Sequence, residues 1–288
     1  MLISLFERNM KIFFRDKMLV FFSLLSVFIS IILFIFFLEQ QQIRSLGNVL
    51  SVTPATKLLV TEWMIAGILA MTAMTSTLAV YSLFIYDKES RRTSDFLTTT
   101  GSHANILLSY TISAFVIGFI LSSVGYIICT VYMLTLGASF PSMMEIAKVI
   151  GIMAMGVLLS AMINLFIVLI VKSAKAFSTV NSLVGTLIGF LCAVYIPIGV
   201  LPSTMQFVIQ AFPVSHIAVL LRQVMMDHSL QTVFASAQTE MQQYMQFYGV
   251  FYEISGTSLS ALQSIIYIAS AIACLGLLSA WLFRRQNK

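Results

Sequence analysis

Long apolar runs recur along the chain, and polar residues collect between them. Six stretches are uncharged or nearly so, and each is at least as long as the roughly 20 residues with which a helix crosses a bilayer. They are about Met18–Leu38, Met64–Tyr86, Ile106–Leu134, Ile146–Val171, Phe177–Gly199 and Leu259–Phe283. Strands of a membrane β-barrel are half as long and alternate polar with apolar residues, which these stretches do not. The pattern predicts six transmembrane helices, each of which satisfies its own backbone polar groups.

The composition also places the chain in lipid. Of its 288 residues, 59% are hydrophobic and 9% are charged, whereas a soluble domain carries about 25% charged residues. Too little polar surface remains to face water around a protein of this size. We therefore predict an all-α membrane protein with a single transmembrane domain over residues 1–288.

Residues 1–17, before the first span, have the period of an amphipathic helix. Leu5, Phe6 and Phe13 share its apolar stripe, while Arg8 and Lys11 lie off it. Such a helix lies along a membrane surface. A simple anchor is the alternative interpretation. The first span is too long for a signal core and is followed by glutamine residues instead of a cleavage site, so we expect it to be retained.

Lys and Arg residues are distributed unequally between the two sides. With six spans both termini share one side, and that side holds twelve of the 16 basic residues. The other four are Arg44, Lys57, Lys148 and Arg222. Because basic loops stay cytoplasmic, we expect a multi-pass protein with both termini in the cytoplasm. We expect the membrane to be a plasma membrane, of a bacterium. The net charge of +5 then reflects topology and contact with anionic lipids in the bilayer, not nucleic-acid binding.

Residues 87–104, here called the charged segment, follow the second span. Their first part reads DKESRRTSDFL and holds six of the 27 charged residues, 16 basic and 11 acidic, of the whole chain. Three acidic groups among three basic ones exceed what the distribution of basic loops requires. Charges orient docking and an aromatic side chain anchors it, so we expect a short helix that docks a soluble partner. A solvated loop is the alternative.

Residues 200–258, before the last span, form the largest segment on the far side. Pro197, Pro202 and Pro213 prevent one straight helix. The pattern predicts a helix over Ser215–Asp227 with Ser215 as its N-cap. We expect short re-entrant helices that dip into the membrane, followed by an external cap over residues 229–258.

Polar and small residues fall at helical spacing in the spans. The second span has a mildly polar face, and two asparagines lie at mid-span. These polar residues are Thr72, Thr75, Ser76, Asn164 and Asn181. They could line a cavity, or they could form hydrogen bonds between helices, and the sequence favours neither. Gly185, Gly189 and Ala193 permit close approach of another helix, either within one chain or between two.

Several kinds of chemistry have no sequence support. No Gly-Lys dipeptide occurs, so the phosphate-binding loop of many ATPases is absent. The three histidines and three cysteines show neither metal-ligand nor catalytic spacing. We expect no catalytic residue, no metal and no cofactor in this chain. The spans also lack mid-depth ionisable groups, which ion-coupled carriers use, so energy for transport would come from outside the chain.

The order of these features resembles the membrane permease subunits of ABC exporters of the type-2 class, over essentially the whole chain. Glu89-Ser-Arg-Arg-Thr-Ser-Asp95-Phe-Leu97 is similar to the coupling segment after the second span. Pro197-x-x-x-Leu201-Pro202, Phe212-Pro213 and Arg222 are similar to the re-entrant segment before the last span. Two departures exist: Arg92-Thr-Ser-Asp95 replaces Gly-Thr-Leu-Glu, and a proline expected near Gly101 is missing.

The resemblance implies half of an exporter of amphipathic or hydrophobic compounds, such as drugs, antimicrobial peptides or lipid-like molecules. Two permeases, identical or related, would bind two separate ATPase subunits that hold ATP and Mg, and would work by alternating access. The ATPase-coupling residues would be Glu89, Arg91, Arg92, Asp95, Phe96 and Leu97. Pro197, Leu201 and Pro202 would form an external gate. A non-pumping immunity or sensor protein and a standalone secondary carrier are the competing hypotheses.

Overall fold

The computed structural model describes residues 2–47, 53–90, 92, 103–235, 237–254 and 257–286. These residues are mostly helical. The α-helices are α1 (Leu2–Arg15), α2 (Lys17–Leu33), α3 (Glu39–Gly47), α4 (Pro54–Glu89), α5 (His103–Thr135), α6 (Met143–Ile170), α7 (Ala174–Leu191), α8 (Ser203–Ala211), α9 (Pro213–Met225), α10 (Asp227–Val233), α11 (Gln238–Phe247) and α12 (Ala261–Gln286). A π-helical stretch, Phe34–Leu38, joins α2 to α3, and a 3₁₀ turn, Ile198–Val200, precedes α8. Strands β1 (Glu253–Ile254) and β2 (Thr257–Ser258) pair antiparallel.

Six helices of the described residues are long and apolar enough to cross a membrane. They are Lys17–Ile43, Pro54–Glu89, Ala104–Thr135, Met143–Ile170, Ala174–Leu191 and Ala261–Gln286. The prediction of a six-span all-α membrane protein is confirmed. The predicted starting points are less accurate, since α4 begins at Pro54 and not near Met64. Thr53 explains the earlier start: its side chain accepts a hydrogen bond from the Thr56 N–H, and Pro54 fills the first helical position.

The amphipathic N-terminal helix is also present as α1. Leu5 and Phe13 are buried, as the apolar stripe predicts, and Asn9 is buried beside them. The helix ends where Asp16 caps the next one, because its Oδ1 accepts a hydrogen bond from the Leu19 N–H at 3.0 Å. Helix α1 packs mainly against α5 and α2.

Helix α4 is the centre of the bundle. It packs against α2, α3, α5, α6, α7, α9 and α10. Within its most apolar window 78% of the residues are buried, compared with 17% for α7 and 11% for α12. Helices α7 and α12 therefore present most of their apolar side chains outward. Helix α4 is the helix against which most of the others pack.

Helix α7 ends at Leu191, although the apolar run predicted a span as far as Gly199. The Ala193 N–H donates to the Phe190 carbonyl at 3.0 Å and the Val194 N–H to the Gly189 carbonyl at 2.8 Å. These two bonds form a Schellman C-cap around Ala193, which has a φ of 49°. Such a cap usually contains glycine, so the end of α7 could not be predicted from the residue type at position 193.

Helices α8 and α9 meet at an angle of 88°. Helix α9 begins at Pro213 with Phe212 as its N-cap, so the prediction that Ser215 caps it was wrong. Proline fits the first helical position and starts the helix two residues early. The Ser215 hydroxyl instead donates to the carbonyls of Ile209 and Phe212 at 2.6 and 2.8 Å. Helix α9 packs against α4, α6 and α12, and most of its residues are buried.

Candidate functional site

Asp87, near the end of α4, is the centre of a buried ionic cluster. Arg8 of α1 donates from Nη1 to Oδ2 at 2.8 Å and from Nη2 to Oδ1 at 2.9 Å. The Tyr110 hydroxyl of α5 donates to Oδ2 at 2.5 Å. Asp87 is 4% exposed. Charge-assisted, two-point pairs of this kind are among the stronger hydrogen bonds in proteins. We call Arg8, Asp87 and Tyr110 the ionic node.

The ionic node connects three helices that are distant in sequence. Burial alone would lower the pKa of the Arg8 guanidinium, but its hydrogen bonds to Asp87 and the Asp87 charge outweigh burial and raise it. Asn9, the next residue of α1, donates from Nδ2 to the Ser113 hydroxyl of α5 at 3.3 Å. Helix α1 is thereby held on the bundle by directional bonds as well as by apolar contacts.

The charged segment starts at this node. Glu89 is exposed, and Arg92 is exposed while its Nη1 lies 3.5 Å from Asp87 Oδ1. Arg91, Asp95, Phe96 and Leu97 lie outside the described residues. Asp87 itself, which the pattern grouped with the exposed charges, is buried. The two described members of the predicted docking set therefore lie at the surface, beside the node.

A cleft of about 470 Å³ opens between α2, α4 and α7. We call it the polar cleft. Its polar lining residues are Asp16, Ser23, Thr75, Ser82, Tyr86, Ser178 and Asn181, and Gly185 also borders it. Thr75, Ala79, Ser82 and Tyr86 repeat at the spacing of one helical face. Of the residues that line the cleft, only Asp16 carries a charge.

The polar cleft and the ionic node share helix α4. Thr75 lies twelve residues before Asp87, a separation of about 18 Å along a helix that rises about 1.5 Å per residue. Tyr86, which lines the cleft, is the immediate neighbour of Asp87. A displacement of the end of α4 would therefore act on the wall of the cleft directly.

The predicted cavity-lining residues lie in two places. Thr75 and Asn181 line the polar cleft. Thr72, Ser76 and Asn164 are fully buried elsewhere. The Thr72 hydroxyl donates to the Ile68 carbonyl at 2.7 Å, and Asn164 Nδ2 donates to the Met74 carbonyl at 3.0 Å and the Thr77 hydroxyl at 2.8 Å. Asn164 thus bonds α6 to α4.

The three small residues of the fifth span have different surroundings. A Cβ atom on Gly185 would have no neighbour within 4 Å. A Cβ atom on Gly189 would collide with the Tyr195 ring of the same chain. Ala193 occupies the left-handed position of the C-cap. Close approach within one chain therefore explains Gly189, whereas Gly185 borders open space.

The predicted external gate lies at the other end of α7. Pro197 is buried and Pro202 is exposed. The Leu201 carbonyl accepts a hydrogen bond from Gln206 Nε2 at 2.8 Å. These residues form the turn that leads from α7 through the 3₁₀ segment into α8.

Arg222 of α9 is completely buried, a feature that the sequence pattern missed. Its Nη2 donates to the carbonyls of Cys192 and Ala193 at 2.9 and 2.8 Å, and its Nη1 donates to the Gly249 carbonyl at 3.2 Å. Its guanidinium lies 5.2 Å from the centroid of the Trp63 ring. None of the ion pairs in the described part of the chain includes Arg222. Arg222 therefore joins α9 to the C-terminal ends of α7 and α11 through hydrogen bonds to backbone carbonyls.

Comparison with known proteins adds one finding to this geometry. The family model described as "ABC-2 type transporter" matches residues 2–226, a range that includes the ionic node, the polar cleft and Arg222. No curated protein matches the chain.

Proposed function

The chain belongs to the ABC-2 type transporter family, and from this premise we propose that it is the membrane permease subunit of an ATP-driven exporter. The observation that carries the proposal is that one buried helix, α4, holds both the ionic node and a wall of the polar cleft. The first is a buried connection between three helices that lies directly beside the exposed charged segment, and the second has room for cargo.

The proposed mechanism begins at the charged segment. Two ATPase subunits, which would hold ATP and Mg, dock on Glu89 and Arg92 and on the neighbouring residues Arg91, Asp95, Phe96 and Leu97. Hydrolysis in those subunits supplies the energy. Force applied there reaches Asp87, and through Arg8 and Tyr110 it moves α1, α4 and α5 together. The polar cleft then changes its access from one side of the membrane to the other.

The lining of the polar cleft indicates the class of cargo. Hydroxyl and amide groups lie beside Leu19, Phe22 and Phe177, with one carboxylate at Asp16. Such a surface suits an amphipathic or hydrophobic compound that offers a few hydrogen-bonding groups. Asn181 is the residue that we assign to polar contact with the cargo, and Pro197, Leu201 and Pro202 would border its exit.

The proposed assembly contains a second permease, identical or related. Helices α7 and α12 are the most exposed spans, so one of these faces is available for it while lipid covers the rest. The side that carries the termini faces the cytoplasm, because it holds most of the basic residues. This orientation puts the charged segment, which lies beside the ionic node, on the side where the ATPase subunits would be.

Reconstitution tests the proposal. The chain is incorporated into liposomes with an ABC ATPase encoded by a neighbouring gene, and release of a panel of preloaded amphipathic dyes and peptides is followed. We expect the ATPase to co-purify and at least one compound to move only with ATP. Flux along an ion gradient without an ATPase, or binding of compounds with no ATP-dependent flux, would contradict it.

A further inference from the structure

A second, smaller cavity lies at the end of the bundle opposite the ionic node. It has a volume of about 70 Å³. The start of α4, the end of α5, the start of α6 and the junction of α9 with α10 surround it. Its lining includes the apolar side chains of Leu58, Met133, Val149 and Val224, and the polar side chains of Glu62, Tyr126, Thr130, Glu145 and His228. We call it the Glu62 cavity.

Glu62 has an unused hydrogen-bonding atom in this cavity. The residue is 7% exposed. Its Oε2 atom is buried and has no hydrogen-bond partner. Buried polar atoms are nearly always hydrogen-bonded, because leaving one unpaired costs free energy. A ligand that donates to Oε2 would recover that cost.

The charges around the cavity favour a cation. Glu145 lies at the same cavity, and its own Oε2 already accepts a hydrogen bond from the Ser142 N–H at 2.6 Å. Lys57, one turn and a half before Glu62, pairs with Glu39 at 2.8 Å. Two buried atoms at this cavity have no hydrogen-bond partner, Glu62 Oε2 and the Thr130 hydroxyl oxygen. Of the two, only Glu62 belongs to an acidic group, and Glu145 adds a second acidic group beside it.

The shape and lining narrow the class of cation. No three His, Cys, Asp or Glu side chains of the described residues come together as metal ligands do, which disfavours a metal ion. A cavity of about 70 Å³ is far smaller than the roughly 300–1,000 Å³ of a drug-sized pocket, but it accepts one charged head. The apolar side chains on one part of the lining, Met133 and Val224 among them, suit the carbon atoms next to that charged head.

We propose that the Glu62 cavity binds the protonated amino group of an amphiphile, with the ammonium hydrogen-bonded to Glu62 Oε2 and the alkyl arm against Met133 and Val224. This site is separate from the polar cleft and from the ATPase-docking face. Because binding is measured without any ATPase, its failure would leave the proposed export function untouched.

Titration calorimetry of the chain in lipid nanodiscs tests the proposal with octylammonium as the probe and octan-1-ol as its neutral counterpart. We expect Glu62→Gln to weaken octylammonium binding roughly tenfold or more, because the substitution removes the negative charge that strengthens the hydrogen bond to the ammonium group. Binding of octan-1-ol should not change. The matched control is Glu240→Gln, at an exposed position of α11, which should bind octylammonium as the parent does. Equal affinity of parent and Glu62→Gln would overturn the proposal.

A second measurement on the unaltered chain decides the matter if the Glu62 variant does not fold. Dicyclohexylcarbodiimide reacts with carboxyl groups in apolar surroundings, and mass spectrometry locates the adduct. We expect a Glu62 adduct whose yield falls several-fold with octylammonium and stays constant with octan-1-ol. A yield that octylammonium leaves unchanged, or the absence of any Glu62 adduct, would contradict a cation site at this carboxylate.

Discussion

The carboxylate of Asp87 accepts hydrogen bonds from two residues on other helices. Arg8 and Tyr110 donate to it from α1 and α5, and Arg92 approaches it from the charged segment. Two residues further on, Glu89 has the same charge but is exposed. We therefore expect a change at Asp87 to lower the stability of the protein, and a change at Glu89 to affect the binding of a partner.

Asp87→Asn should destabilise the protein. The change removes the charge that pairs with Arg8, whose side chain is 24% exposed and can recover part of its hydration. We expect the free energy of unfolding to fall by about 1–3 kcal/mol, less than for a fully buried pair. Equilibrium unfolding in mixed micelles measures this. A variant as stable as the parent would show that the ionic node does not hold α1 in place.

Glu89→Gln should leave folding intact and weaken the contact with the ATPase. Substitutions at exposed positions usually change stability by no more than about 0.5 kcal/mol, whereas a charge at a docking surface steers and orients its partner. Co-purification and binding kinetics with the ATPase measure the effect, and Glu7→Gln is a control on a different helix. Unchanged affinity would remove Glu89 from the proposed docking surface.

Arg222→Met should be among the most damaging single changes. Methionine fills a similar volume but leaves the carbonyls of Cys192, Ala193 and Gly249 without their donor. Each buried unpaired group costs about 1–3 kcal/mol, so a loss of several kcal/mol, or failure to fold, is expected. Lys148→Met, at an exposed position, is the matched control. Unfolding measurements that find the two variants equally stable would refute the structural role of Arg222.

At the scale of elements, α7 offers a test of close packing. In Gly189→Ala the added Cβ would collide with the Tyr195 ring, whereas in Gly185→Ala it would enter open space. Overpacking costs about 1–3 kcal/mol, so only the first change should lower the free energy of unfolding. If Gly185→Ala instead disrupts an oligomer detected by light scattering, the face around Gly185 contacts a second chain. Equal stability of both variants would contradict the packing described here.

The elements themselves were largely predictable from the sequence. The length of an apolar run is a strong signal, because a bilayer forces the backbone into complete helices. The ends were harder to predict. Thr53 and Pro54 start α4 early, and Ala193 ends α7 in a conformation that usually requires glycine. Local capping chemistry of this kind is not visible in hydrophobicity.

The candidate site was only partly predictable. The polar face of the second span and the two asparagines were compatible with a cavity or with hydrogen bonds between helices. Thr75 and Asn181 line the cleft, whereas Asn164 forms hydrogen bonds between two helices. The sequence could not distinguish buried Asp87 from the exposed charges next to it, since its donors come from Arg8, 79 positions earlier, and Tyr110, 23 positions later. Arg222 was counted as an external charge, because the carbonyls that surround it belong to distant segments.

At the scale of the whole molecule, the two ends of the bundle differ in their construction. The end with the N-terminus is held by the charged pair of Arg8 and Asp87. At the opposite end, Arg222 joins α9 to the ends of α7 and α11 through carbonyls. The two ends of the described bundle therefore rely on different contacts, a charged pair at one end and bonds from a buried arginine to backbone carbonyls at the other.

The most direct test asks whether nucleotide bound by the ATPase changes the polar cleft through Asp87. Cysteines replace Ser82 and Ser178, which line the cleft on α4 and α7, after Cys129, Cys192 and Cys274 have been changed to alanine. In the reconstituted complex we expect a non-hydrolysable ATP analogue to raise the cross-linking yield between these positions, and we expect Asp87→Asn to abolish the rise. An unchanged yield in the parent, or a response of the Asp87→Asn complex as strong as that of the parent, would contradict transmission from the ATPase to the cleft through Asp87.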